Sequence, residues 1–353
     1  MTGKHRWVSV LKKINEQILW QGFGLSIVCL LPVFACAWFF NNLVFLKIGL
    51  ITISLFIAAK QLKYGFAIIS FHYVLILTGF TLLYFSSHYF TPLFIFLCAL
   101  MALGCIVLTR AGHKLRTFGN YTFIPSVYLA CEIQYPLAEQ SVLSGYWHFL
   151  ALTPIAWLTM AVVYYFFHRR WDMMASPAAK SRHIINLNSF GDKGEPLKDW
   201  RSPAAAIFLG VFVAAMLAVI LQIDRPEWLI WSTASVITTE AVLARSKFMQ
   251  RFCGAMLGIS LGLLLSHFLP QSQLTYSLGV LGIMLTLTSF KNYFIAFSSR
   301  CFFITLAAYA ISTSTHMELT RVENVVIGGI IGVSSLYIMH YLLIALRKCK
   351  PQL

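Results

Sequence analysis

Apolar residues in this chain come in long, nearly unbroken runs, not in the spaced clusters of an amphipathic soluble helix. A helix rises about 1.5 Å per residue, so about 20 apolar residues are needed to cross the hydrocarbon of a bilayer. Twelve runs approach that length. In the first half they cover 18–39, 43–60, 65–86, 91–109, 117–135 and 147–168. In the second half they cover 203–223, 228–244, 252–269, 274–290, 292–311 and 324–346. Asn120, Pro125 and Glu132 interrupt the fifth run, and the tenth and eleventh meet at a short turn around Lys291. The pattern predicts an all-α polytopic membrane protein with about twelve transmembrane helices, six plus six. One polar segment divides them. The predicted organisation is a six-span half over 1–168, a cytoplasmic linker over 169–202 and a second six-span half over 203–353.

Composition supports lipid as the solvent. Of 353 residues, 59% are hydrophobic and 11% are charged, whereas a soluble domain carries about 25% charged residues. Charge placement then sets an orientation. With the N-terminus cytoplasmic, all of the 27 Lys and Arg residues except Lys47, Arg225, Arg300 and Arg321 fall in cytoplasmic segments. That is the positive-inside bias. It assigns the net charge of +15 to orientation and not to nucleic-acid binding. The expected location is the inner (plasma) membrane of a bacterium, with many passes and both termini cytoplasmic. The eight cysteines include no CxxC pair, so no disulfide scaffold, metal site or cofactor is expected.

Two stretches of the second half share a spacing. Arg251-x2-Gly254-x3-Gly258-x3-Gly262 opens the ninth run, and Arg321-x2-Asn324-x3-Gly328-x3-Gly332 opens the twelfth. Small residues four apart line one helix face and admit a neighbouring backbone. In the expected topology the two motifs enter the membrane from opposite sides, which reads as an inverted three-plus-three repeat within the second half.

The stretch from Trp228 through Leu265, with Trp231, Arg245, Lys247, Arg251, Gly254 and Gly258, resembles the fusaric-acid-resistance and aromatic-acid-exporter superfamily. The Arg321-to-Gly332 stretch fits the same pattern. The resemblance covers about 203–346. It implies a six-span unit, usually present twice in a chain, and export of aromatic carboxylic acids, with malate conduction in plant relatives. It also implies a periplasmic adaptor protein as a partner, and the chain could work as a homo-oligomer. The larger exporters carry a sizeable cytoplasmic domain between their halves, where this chain has a short linker, and the motif is absent from the first half.

An ionisable residue within a span is costly and is a functional candidate by default. Lys47, close to a span end, reads as snorkelling to the headgroups. Glu240 and Arg300 sit deeper. They read either as a buried ion pair or as a site in which Arg300 meets a substrate carboxylate, Ser298 and Ser299 assist, and Glu240 carries a coupling proton. Trp231 could stack on an aromatic substrate. His72, His267 and His340 each read as hydrogen-bonded core histidines. No catalytic residues are expected: His-x4-Asp, His-Glu-x2-His and Gly-x4-Gly-Lys-Ser/Thr are all missing. The reading is a non-enzymatic inner-membrane exporter of small organic anions, proton coupling included as an option. A passive anion channel, a membrane-embedded enzyme and a non-transporting scaffold stay open beside it.

Overall fold

The computed structural model describes residues 16–133, 142–173, 200–237, 241–311 and 316–348. Among them regular structure is helical, apart from an isolated bridge between Ile18 and Phe290. The helices are α1 Trp20–Phe39, α2 Val44–Lys60, α3 Phe66–Tyr89, α4 Thr91–Leu108, α5 His113–Glu132, α6 Val142–Leu152 and α7 Pro154–Met173. They continue as α8 Arg201–Ile220, α9 Pro226–Val236, α10 Ala241–Ser266, α11 Gln273–Leu285, α12 Tyr293–Ile311 and α13 His316–Lys348. The fold is all-α and polytopic. The expected linker lies almost wholly outside the described residues.

Eight stretches among the described residues are long and apolar enough to cross a membrane: α1, α3, α4, Val142–Phe167, α8, Leu243–Ser266, α12 and Leu319–Ala345. The other four apolar runs take a different form. α2, α9 and α11 have 17, 11 and 13 residues, a rise of about 26, 17 and 20 Å against about 30 Å of hydrocarbon. α5 has 20 residues but carries Lys114, Arg116, Asn120 and Glu132, with Pro125 inside it. α9 is short for local reasons. Arg225 before it is left-handed at φ 60°, Pro226 takes the first turn, and the backbone is already extended at Ile237.

The helix faces invert the pattern of a soluble protein. On α10, Gly254, Ala255, Gly258, Gly262 and Ser266 are buried, while Met256, Leu257, Leu261 and Leu264 are exposed. On α13, Asn324, Gly328, Gly332 and Ser335 are buried while Ile327, Ile330 and Ile338 are exposed. Large apolar side chains outward and small ones inward suit a helix solvated by lipid.

The chain forms two compact units, Met1–Ile53 with Gln250–Leu319, and Ser54–Met249 with Thr320–Leu353. In the first, α1 runs against the segment that follows α11. Leu19 donates its N–H to the Ser289 carbonyl at 2.8 Å, and the Ser26 and Thr288 hydroxyls bond at 2.8 Å. In the second, hydroxyls tie the helices of the first half together. Ser126 Oγ donates to the Ile76 carbonyl at 3.1 Å, Trp157 Nε1 donates to Ser70 Oγ at 2.9 Å, and Tyr73 and Thr153 hydroxyls bond at 2.8 Å. Side-chain hydrogen bonds of this kind hold apolar helices together where hydrophobic burial gives no drive.

Candidate functional site

Each Arg-led motif packs on one helix. In the first unit, α10 lies along α12. A Cβ at Gly254 would come 3.1 Å from both Phe297 Cδ1 and Ser298 Oγ, and at Gly258 it would collide with the Ser298 carbonyl. At Gly262 it would come 2.7 Å from Thr305 Cβ. Residue numbers rise together on both helices, so the pair is parallel. Arg251, 1% exposed, closes one end of the seam. Its guanidinium lies 4.4 Å from the Phe297 ring centroid and donates to Tyr293 Oη at 3.0 Å.

The second unit holds a seam of the same construction between α13 and α9. A Cβ at Gly328 would come 2.8 Å from the Leu229 carbonyl and 2.7 Å from Ser232 Cβ, and at Gly332 it would come 2.9 Å from the Thr233 carbonyl. Arg321, also 1% exposed, has its guanidinium 4.8 Å from the Trp228 ring centroid. Asn324, where the other motif has Gly254, donates Nδ2 to the Asp224 carbonyl at 3.2 Å. It thereby ties the turn ahead of α9 to α13. Each motif helix therefore packs on the middle helix of the other trio: α10 of α8–α10 on α12, and α13 of α11–α13 on α9.

The shared register gives a correspondence. Phe297 matches Trp228 as the ring under the motif arginine, and Ser298 matches Leu229 as the carbonyl met by the middle glycine. Three residues beyond the ring stand Arg300 and Trp231, the two polar or aromatic candidates of greatest interest. Arg300 is buried, and its Nε donates to Thr286 Oγ1 on the segment that closes α11, at 3.1 Å. Trp231 is half-buried.

The remaining candidates fall as follows. Ser298 is buried against Gly254 and Gly258, whereas Arg300, two residues on, faces Thr286. Positions two apart on a helix do not share a face, so these two do not converge. Ser299 is half-buried. Glu240 lies outside the described residues. His72 is buried and stacks on Phe118 with centroids 4.2 Å apart. His267 and His340 are exposed, which corrects their reading as core histidines: the faces they occupy on α13 and just past α10 are those carrying the outward apolar side chains.

A cluster not anticipated from the sequence sits in the second unit. Arg225, in the turn between α8 and α9, forms an ion pair with Glu132 at the end of α5. Glu227, the second residue of α9, is 2% exposed, and neither carboxylate oxygen has a hydrogen-bond partner. It stands ahead of the apolar run 228–244 and outside the eight candidate spans. Burial pushes its carboxyl up to about 8 and Glu132 pushes the same way; Arg225, its own backbone N–H (near the carboxylate but outside hydrogen-bond geometry) and Arg321 oppose them. Burial works against the charge of Arg225, but Glu132 and Glu227 outweigh it and hold that guanidinium above its ordinary value. The available signal was the Arg225-Pro226-Glu227 triplet together with Glu132 breaking an apolar run.

Residues 209–335, the stretch that holds both motifs, match a family described as fusaric acid resistance protein-like. The match supports the resemblance drawn from Trp228, Arg251, Gly254 and Gly258. No curated protein and no solved structure matches the chain.

Proposed function

We infer from the fusaric acid resistance protein-like segment at residues 209–335 that this multi-pass membrane protein transports organic anions, aromatic carboxylic acids foremost. The observation that carries the substrate class is Arg300. A guanidinium buried in a membrane-crossing helix and held by a hydroxyl is costly, and such a group suits the capture of a carboxylate through two parallel hydrogen bonds. The twin seams support reading α8–α10 and α11–α13 as an inverted three-plus-three repeat, and the distribution of Lys and Arg supports cytoplasmic termini.

The test is flux of a labelled panel of aromatic carboxylates in proteoliposomes, with and without a pH gradient. The wild type moves at least one acid. Arg300→Ala abolishes that flux at normal expression and folding, and Arg300→Lys keeps the charge but loses the planar fork, raising KM more than it lowers kcat. Wild-type flux in Arg300→Ala would remove Arg300 from the site. Currents far above carrier turnover would make the protein a channel.

A further inference from the structure

We propose that Glu227 is a proton-binding site whose proton is coupled to the movement of the anion. The coupling rests on the transport reading above; the proton site stands on the geometry of the second unit alone.

Three chain segments wall in this carboxyl. α5 brings Cys131 and Glu132, the turn ahead of α9 brings Arg225, and α13 brings Arg321. Asp224, in the same turn, is exposed. A carboxylate kept only for structure would be expected to end on a donor. Here Arg225 is engaged by Glu132, the Arg321 guanidinium lies over Trp228, and both oxygens of Glu227 are buried without a hydrogen bond. An ionised carboxylate in that state is heavily penalised, and binding a proton removes the penalty. Two guanidinium groups within electrostatic reach lower the cost of ionisation again. The carboxyl therefore has both forms within reach, as a group that takes up and releases a proton must.

The charge balance fixes the sense of the coupling. With Glu227 protonated, half-buried Glu132 and Arg225 and buried Arg321 sum to one positive charge. With Glu227 ionised, the sum is zero. The cluster attracts an anion only while the proton is bound, so proton and anion favour each other. Acidification is expected to strengthen interaction with the anion.

The experiment uses the full chain in proteoliposomes with two readouts. Infrared difference spectra during a pH titration follow the carbonyl band of a protonated carboxyl. In the wild type this band disappears as pH rises through about 8. Glu227→Gln lacks the transition, and Glu132→Gln keeps it at a shifted pH. In parallel, the aromatic carboxylate panel is measured with and without a pH gradient. Wild-type flux rises severalfold on the acid-driven side, while Glu227→Gln gives the same flux with or without the gradient. An unchanged infrared transition in Glu227→Gln overturns the proton site. A transition lost in Glu227→Gln together with a retained gradient response overturns the coupling. A wild type that titrates but moves no acid sinks the transport reading and the coupling, and leaves the proton site established. If Glu227→Gln does not fold, Glu227→Asp decides: a displaced transition supports the site, and an unmoved one overturns it.

Discussion

Arg251 and Arg321 are buried guanidinium groups that lie over the rings of Phe297 and Trp228. A ring face beneath a desolvated cation contributes up to about 2 kcal/mol, and a planar guanidinium stacks where an ammonium cannot. Arg251→Lys should therefore destabilise the protein by about 1–2 kcal/mol, read as a lowered thermal midpoint in detergent; an unchanged midpoint would assign the packing to the glycines alone. Glu227 gives a pH-dependent expectation. Its carboxyl rises from 4.5 to about 8 on folding, so between those values the folded chain holds a proton that the unfolded chain has released. The stability this group contributes is full below pH 4.5 and is lost as pH rises through about 8. Glu227→Gln cannot ionise, so its midpoint should gain on the wild type as pH rises across that window. A constant offset would show that Glu227 does not titrate there. Arg251 and Arg321 were legible in the sequence because their spacing to small residues repeats. Glu227 was not, because Pro226-Glu227 between two apolar runs reads as a solvated loop until α5 and α13 are seen to cover it.

At the scale of elements, the seams depend on backbone meeting backbone. A Cβ at Gly258 would land on the Ser298 carbonyl of a parallel helix, and a backbone atom has no rotamer by which to yield. Gly258→Ala should lower the thermal midpoint by an amount equivalent to about 1–3 kcal/mol. Gly24→Ala and Gly104→Ala, where nothing lies within 4 Å, should leave it unchanged or raise it, since alanine is the better helix former. Equal midpoints for Gly258→Ala and Gly104→Ala would refute the close seam. Helix existence was readable from run length, because hydrocarbon solvation demands it. The lengths of α9 and α11 were not readable. Apolar residues continue past Val236 and Leu285, and it is the backbone at Ile237 and the hydroxyl-rich turn at Thr286, Thr288 and Ser289 that end these helices.

At the scale of the whole molecule, the distribution of Lys and Arg makes a sidedness prediction. In a chain stripped of its own cysteines, Lys63→Cys should react with an impermeant thiol reagent only from the cytoplasmic face, and Gln222→Cys only from the other. Labelling of both from one face would overturn the alternating topology. The sequence alone determined that lipid is the solvent, that the chain crosses it many times, and which residue spacing allows close helices. These are properties of composition and period, which the solvent reads one helix at a time. Only the tertiary structure decided which helices meet. Small-residue faces of equal spacing are interchangeable along a sequence, and the choice of α12 for α10 and α9 for α13 depends on carbonyls and rings supplied from 40 to 100 residues away. The same long-range choice turned Ser298 and Arg300 to different neighbours and enclosed Glu227, since burial belongs to the assembled neighbours of a residue and not to the residue itself.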